Sequence, residues 1–263
     1  MESEGTAPVC TIDGPRATIR LARPRQHNRI EPGDLIAIYD FLATVEDDPA
    51  VRVLVLTGTG GKTFSSGFHL GALSERQKSG EPRSDDGDNL FSTVVDRLEA
   101  SRVPTIAALN GGVYGGSTDM ALACDFRIGV NGMRMFMPAA RLGLHYYESG
   151  LRRYATRLGL STAKRLFLTA QPVDAAELLR MGFVDELVEP EDLAARVDAL
   201  AAILAANAPL AVQGMKHALN AIAAGTADSS KIDSARRSCA QSEDIKEGLA
   251  AWAEKRAPVF RGR

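Results

Sequence analysis

The chain has 263 residues, of which 45% are hydrophobic and 24% charged, and its formal net charge at pH 7 is −2. Scattered lysines and arginines with this balance argue against a nucleic-acid-binding surface. No apolar run approaches the ~18 residues of a membrane span, and the start MESEGTAPVC lacks the parts of a secretory signal. Three unpatterned cysteines suggest reduced thiols and no metal site. We therefore expect a cytoplasmic protein with neither nucleic-acid nor membrane partners.

The first half of the chain alternates between predicted strands and helices. The turn DGP joins two short alternating segments, which predicts a β-hairpin. A helix is predicted from Pro32, and one of its faces carries Leu35, Ile38, Leu42 and Val45. Apolar strands follow at VRVLVLTG, TIAAL and FRIGV, with a buried helix at STDMALACD before the last of them. Strands separated by helices indicate an α/β fold with a mainly parallel sheet.

The second half is predicted to be mainly helical. Ser161 and Asp174 are predicted N-caps, and Gly182 a glycine just past a helix end. One late strand is predicted in FVDELV, then helices over 191–206, over 210–224 and from about 242. Earlier, the polar stretch 74–89 has no apolar period and is predicted to be a mobile surface loop. We divide the chain into a core, residues 1–200, and a C-terminal helical region, residues 201–263.

Glycines and one acid mark a candidate site in NGGVYGGSTDMALACD, residues 110–125. Neither this segment nor GTGGKT has the glycine spacing of a nucleotide-binding loop. Gly115 and Gly116 would let the backbone approach a ligand, and the helix start behind them favours negative charge. A second N–H group, from the Gly67–Phe68 turn, would complete a two-donor hole for an oxyanion. Tight turns alone would also explain these glycines.

Five segments in order along the chain resemble one family. They are RPRQHNRI, FSSGFHLGAL, NGGVYGGSTDMALACDFRI, AELLRMGFVDELVEPEDL and SEDIKEGLAAWAEKRAPVFRGR. They make the chain, from about residue 9 to its end, similar to the enoyl-CoA hydratase/isomerase (crotonase) superfamily. The resemblance implies a spiral of ββα units with a C-terminal helical region that builds trimers, often paired into hexamers. It also implies an acyl-CoA substrate, with no cofactor beyond the coenzyme A of that substrate.

The same resemblance implies roles for individual residues. The backbone N–H groups of Phe68 and Gly116 would form an oxyanion hole that holds a thioester carbonyl as it becomes an enolate. Asp119 aligns with the first catalytic glutamate of the family and is the predicted acid/base. The predicted substrate contacts are Arg25, Gly67, His69, Leu70, Gly115, Lys255 and Phe260, of which Lys255 and Phe260 would reach the CoA of a neighbouring subunit. Tyr146 is a further predicted contact, in a segment where the chain departs from the family.

The chain departs from the family at both hydratase carboxylates. Asp119 is one methylene shorter than glutamate, and Ala139 stands where the second glutamate is expected. Water addition needs one group to activate water and one to handle the α-proton, although one carboxylate can do both. The segment LHYYESG, residues 144–150, replaces a family glycine turn and offers His145, Tyr146, Tyr147 and Glu148. We predict Glu148 as the second catalytic residue, and leave open that His145, Tyr146 or Tyr147 takes this role instead. The alternative is that these side chains only restore packing.

The reaction type stays open at this point. Hydration, double-bond isomerisation and hydrolysis of a thioester or C–C bond all use a stabilised thioester enolate or oxyanion. An acyl-CoA-binding homologue with weak catalysis is the alternative from a different class, because the second acid is missing.

Overall fold

The computed structural model describes residues 5–69 and 86–263, so expectations for residues 70–85, Leu70 among them, lie outside the described residues. The strands are β1 (Val9–Asp13), β2 (Arg16–Leu21), β3 (Val53–Gly58), β4 (Thr63–Ser65), β5 (Thr105–Leu109), β6 (Gly112–Tyr114), β7 (Phe126–Val130), β8 (Arg134–Phe136), β9 (Val173–Asp174) and β10 (Glu186–Val188). The helices are α1 (Pro32–Asp47), α2 (Asp86–Glu99), α3 (Gly116–Ala123), α4 (Glu148–Leu158), α5 (Leu160–Thr169), α6 (Ala175–Arg180), α7 (Leu193–Ala206), α8 (Pro209–Ala224), α9 (Ser229–Gln241) and α10 (Glu243–Glu254).

The strands form two sheets. The larger has the order β1-β2-β3-β5-β7-β10, in which only the β1–β2 hairpin is antiparallel. The smaller has the order β4-β6-β8-β9, and its first two pairs are parallel. The predicted hairpin and the mainly parallel sheet are therefore confirmed.

Successive strand pairs divide between the two sheets in a regular way. In the pairs β3–β4, β5–β6 and β7–β8, the first strand joins the larger sheet and the second joins the smaller one. A helix then returns the chain to the next pair, with α2 after the first and α3 after the second. This repetition is the ββα spiral that the family resemblance implied, and it brings the loops after β4, β6 and β8 to one sheet edge.

Several local predictions are confirmed. The helix predicted from Pro32 begins there, and its apolar face is buried to within 1% exposure at Leu35, Ile38, Leu42 and Val45. Asp174 caps α6 by accepting a hydrogen bond from the Glu177 backbone N–H at 2.9 Å. Gly182 lies just past α6 with a φ of +76°, which suits glycine.

Other local predictions are wrong. Ser161 is not an N-cap, because Gly159, with φ +81°, separates α4 from α5 and the new helix starts at once. The predicted surface loop 74–89 conflicts with the structure at residues 86–89, which begin α2. Helix α9 was missed because its residues are polar and none is buried, so no apolar period marks it. Strands β4, β6, β8 and β9 were missed as well, since two or three residues are too short to show alternation.

The C-terminal helices differ from the rest in burial. Helix α7 buries Leu193, Val197 and Ala201, whereas α8 and α9 bury no residue. Within the described ranges no single helix is long and apolar enough to cross a membrane; α7 and α8 reach that threshold only as a pair, bent by 106° at their junction.

Candidate active site

The loops after β4 and β6 meet because the two strands are parallel neighbours, and the carboxyl ends of such strands lie at the same sheet edge. Ser117, fully buried in the first turn of α3, ties the loops together. Its hydroxyl oxygen lies 2.9 Å from the Ser65 carbonyl oxygen and accepts a hydrogen bond from the Tyr114 N–H at 3.1 Å. Sequence positions about fifty residues apart thus form one backbone surface.

Gly67 is required by this close approach. Its φ is +88°, and a Cβ added there would lie 2.5 Å from the Tyr114 carbonyl oxygen and 3.0 Å from the Gly116 nitrogen. Any side chain would therefore push the two loops apart. Gly115, with φ +56°, likewise turns the chain into the start of α3. Gly67 is therefore a close-packing position as well as a turn, and Gly115 is a turn.

Two backbone N–H groups at this junction are without a protein acceptor in residues 5–69 and 86–263. Phe68 forms a parallel β-bridge with Ile30, but the hydrogen bonds of this bridge are made by the Gly67 carbonyl and the His69 N–H. The Phe68 N–H therefore takes no part in them. Gly116 is the first residue of α3, where an N–H has no intrahelical partner. The structure therefore brings together the two loops that carry the predicted donors.

Aromatic rings cover this junction. A Cβ added at Gly116 would lie 2.8 Å from the Phe91 ring, which belongs to α2 and is only 6% exposed. The Phe91 ring centroid lies 6.0 Å from that of Phe68 and 6.2 Å from that of Tyr147. Phe91 thus connects the backbone N–H groups to the loop of residues 144–150.

Asp119 lies in the first turn of α3 and is fully buried. Arg153, also fully buried, holds it in a bidentate ion pair: its Nε donates to Oδ1 at 3.0 Å and its Nη2 donates to Oδ2 at 2.9 Å. The Tyr147 hydroxyl donates a further hydrogen bond to Oδ2. Both carboxylate oxygens of the predicted acid/base therefore already have protein donors.

Arg153 is the centre of a larger charged network, which we call the Arg153 cluster: Asp96, Glu99, Asp119, Arg152, Arg153 and Arg157. Arg153 Nη1 donates to Asp96 at 2.8 Å and to Glu99 at 2.9 Å. Arg152 and Arg157 also pair with Glu99, at 2.6 and 3.3 Å. Burial raises the pKa of Glu99, but these three guanidinium groups outweigh it and the net pKa is lowered. For Arg153, burial lowers the pKa, and its carboxylate partners, Asp119 first, raise it overall.

Two stacked tyrosines stand beside Asp119. The rings of Tyr146 and Tyr147 are 4.6 Å apart, and the Tyr146 hydroxyl is buried without a hydrogen-bond partner among the described residues. Burial, followed by the charge of Asp119, raises the pKa of Tyr147 far above its ordinary value. The same causes raise the pKa of Tyr146. Both phenols are therefore neutral throughout the physiological pH range.

The predicted partner acid, Glu148, does not contact Asp119. It is exposed at the start of α4 and lines a cavity of about 600 Å³ together with His145 and Arg152. Ala139 follows β8 at the same sheet edge as the glycine loops and is 6% exposed, so its methyl group is packed in the core. From the 144–150 segment, the side chain that reaches Asp119 is Tyr147.

The remaining predicted contact residues lie apart from Asp119. Arg25 is exposed in a short 3₁₀ turn. His69 Nδ1 lies 3.0 Å from a Glu31 carboxylate oxygen, which gives this histidine a structural partner. Lys255 caps α10 with φ +55°, and the Phe260 carbonyl accepts a hydrogen bond from Arg52 at 2.9 Å. Within the described residues no cluster of three His, Cys, Asp or Glu side chains could bind a metal ion.

Arg153 and Glu99 are the residues that the sequence reading missed. A signal for Arg153 was present: the buried positions of α4 are Gly150, Arg153, Tyr154 and Leu158, which follow helical spacing. An arginine on the buried face of a helix needs a buried carboxylate partner. Glu99 carries a comparable signal, because it continues the buried positions Phe91, Val94, Val95 and Leu98 of α2 at helical spacing.

Comparisons with known proteins agree with this architecture. Residues 14–263 match the family described as Enoyl-CoA hydratase/isomerase. The chain is 33% identical to crotonyl-CoA hydratase of Syntrophomonas wolfei subsp. wolfei over 251 residues, covering 93% of this chain and 94% of that protein. It is 32% identical to carnitinyl-CoA dehydratase of Salmonella typhi over 259 residues, covering 96% and 97%.

Solved structures show the same likeness. The crystal structure of an enoyl-CoA hydratase from Bacillus anthracis has a TM-score of 0.89 and 28% identity, and the match covers 98% of this chain and 100% of that one. The α/β fold implied by the five sequence segments is thus confirmed. The chain belongs to the enoyl-CoA hydratase/isomerase family.

Proposed function

We propose that this protein acts on an acyl-CoA thioester and stabilises its enolate at the backbone N–H groups of Phe68 and Gly116. The observation that carries the proposal is the forced approach of the two glycine loops, in which Gly67 packs against the Gly116 nitrogen. Two amide donors fixed at one point stabilise negative charge as it develops on oxygen. The relatives named crotonyl-CoA hydratase and carnitinyl-CoA dehydratase have CoA thioesters as their named substrates, which supports the same substrate class here.

The acid/base in this proposal is Asp119, three residues beyond the Gly116 donor. Both residues lie in the first turn of α3, which supports a carboxylate near the α-carbon of a thioester held at the proposed oxyanion hole. Ala139 supplies no second carboxylate, so one acid must serve the whole reaction. We therefore favour double-bond isomerisation, in which one group can move a proton from one carbon to another, over efficient water addition or its reverse, dehydration.

A matched pair of variants tests the oxyanion hole. Gly116→Pro deletes one N–H at a helix position that tolerates proline, and Gly116→Ala adds a Cβ at the same place but keeps the N–H. The measurement is kcat/KM with crotonyl-CoA, together with binding of crotonyl-CoA by calorimetry. We expect the activity of the proline variant to be about 10²–10³-fold lower than that of the alanine variant, because this is the usual effect of removing one oxyanion-hole donor from an enzyme. Equal activities would remove Gly116 from the hole, and no binding by the wild type would remove the substrate class.

One observation favours a second candidate function, an acyl-CoA-binding homologue with weak catalysis. Both oxygens of Asp119 are already engaged by Arg153, and one also by Tyr147. A carboxylate held this way is a poor free base. Tight binding of crotonyl-CoA, butanoyl-CoA and longer thioesters with no chemistry on any of them would establish this alternative.

We also propose that the protein assembles as a trimer or hexamer. The support is an exposed apolar surface on the C-terminal helices, where Leu219 and Leu249 are each 66% exposed and Trp252 is 87% exposed. Exposed apolar surface of this kind is typical of protein interfaces. In this assembly, Lys255 and Phe260 would contact CoA bound to a neighbouring subunit, while Arg25 and the backbone of residues 67–69 would contact CoA in their own subunit.

A further inference from the structure

Asp119 is sealed from solvent, whereas its neighbour Tyr147 is not. Asp119 has 0% exposure, and Arg153 and Tyr147 occupy both of its oxygens. Tyr147 is partly exposed, and its hydroxyl donates to Asp119 Oδ2. Of the two side chains bonded to Asp119, Arg153 is fully buried, so a substrate carbon would approach this carboxylate on the side of Tyr147.

The surroundings of Tyr147 connect it to the proposed oxyanion hole. The Tyr147 ring meets the Phe91 ring edge to face at 6.2 Å, and Phe91 in turn lies over Gly116. No other side chain of the 144–150 segment hydrogen-bonds to Asp119 among the described residues, and Glu148 lines a cavity with His145 and Arg152. In the segment that replaces the family glycine turn, the Tyr147 hydroxyl is thus the group with a transferable proton that contacts Asp119.

We propose that Tyr147 is the residue that transfers the proton between substrate and Asp119, in place of Glu148 and of the carboxylate missing at Ala139. This inference rests on the proposed function, because it assumes a thioester enolate. Arg153 keeps the Asp119 carboxylate in place through its bidentate ion pair.

The step is a two-proton relay. The α-C–H bond of the thioester breaks, its electron pair forms the enolate, and its proton bonds to the Tyr147 oxygen. In the same step the original Tyr147 proton passes to Asp119 Oδ2, which becomes a neutral carboxylic acid. The reverse relay returns a proton to carbon, so atoms and charge balance and no further reactant is needed.

The electrostatics of the site favour a relay over a free phenolate. Burial and the charge of Asp119 raise the pKa of Tyr147, so a tyrosinate next to that carboxylate is disfavoured. Tyr147 must therefore receive one proton as it gives up the other. This is possible because its hydroxyl already donates to the final acceptor.

Tyr147→Phe removes the hydroxyl while keeping the ring and its stacking. The matched control is Tyr154→Phe, which removes a fully buried phenol, 2.5 Å from the Thr118 hydroxyl and without a bond to Asp119. The assay is exchange of the α-hydrogen of butanoyl-CoA in D₂O, followed by proton NMR on the full-length protein. Calorimetric binding of butanoyl-CoA and the unfolding midpoint are measured for each variant.

We expect Tyr147→Phe to lower the maximal exchange rate by at least about 10²-fold, the usual effect of a lost acid/base group. Its affinity for butanoyl-CoA should stay within about threefold of the wild type, and Tyr154→Phe should exchange within about threefold, since neither change touches the thioester-binding N–H groups. Equal exchange by wild type and Tyr147→Phe would overturn the relay alone. A wild type that neither binds nor exchanges butanoyl-CoA would overturn the proposed function and the relay with it.

Discussion

Two regions of this protein depart, in opposite ways, from the usual pattern of apolar side chains inside and charged side chains outside. The Arg153 cluster places charge inside, with Arg153 and Asp119 both at 0% exposure. The C-terminal helices place apolar side chains outside, with Trp252 at 87% exposure. Helix α8 is attached to the core through polar contacts, such as Lys216 with Asp125 at 2.7 Å, instead of buried apolar residues.

The difference shows what each region requires. Buried charges cost desolvation free energy, which is offset only when every charge is paired, so the cluster is complete within one chain. Exposed apolar surface has no such partner inside the chain and gains stability only from another molecule. We therefore expect changes in the first region to alter folding, and changes in the second to alter assembly.

The largest effect is expected at the centre of the cluster. Arg153→Met should lower the free energy of unfolding by about 3–5 kcal/mol, because it leaves buried carboxylates without their partner. Urea denaturation followed by circular dichroism measures it. Arg180→Met is the control, since Arg180 pairs with Glu177 at the surface with 71% of its side chain exposed, and should change stability by about 0.5 kcal/mol or less. A cluster variant no less stable than this control would contradict the pairing.

A smaller effect is expected from pH. The pKa of Glu99 is lowered in the folded state from an ordinary value of 4.5, so near that pH the unfolded chain binds more protons. The stability from Glu99 is therefore present above pH 4.5 and lost as the pH falls below it. This linkage acts between about pH 3 and pH 6. Over that range the unfolding midpoint of the wild type should fall as the pH is lowered, and that of Glu99→Gln should fall less steeply. Glu243→Gln, at an exposed surface pair, should keep the wild-type slope; identical slopes in all three proteins would exclude this contribution.

The smallest effect on folding is expected at the exposed apolar surface. Trp252→Gln should change the free energy of unfolding of the isolated chain by about 0.5 kcal/mol or less. It should nevertheless lower the mass seen in sedimentation velocity, because it removes a large apolar side chain from the proposed interface. Ile36→Gln, on α1 and 53% exposed, serves as the control that should keep the wild-type mass. An unchanged mass for the Trp252 variant would place the interface elsewhere.

The sequence by itself determined the elements that carry a repeating signal. The β1–β2 hairpin, the buried face of α1 and the parallel strands follow from alternation and helical spacing, which are local properties of the chain. Gly67 and Gly115 were also identifiable, because glycine suits their positive φ and, at Gly67, the close contact of two backbones.

Only the tertiary structure decided which side chain meets Asp119. Glu148 and Tyr147 are adjacent in sequence, and no local pattern separates them. The orientation of α4 turns Glu148 outward and brings Tyr147 and Arg153 to the carboxylate, where Glu99 from α2 completes the cluster. Long-range pairing of charges depends on how whole helices pack, and that information is spread over the entire chain instead of residing in any one segment.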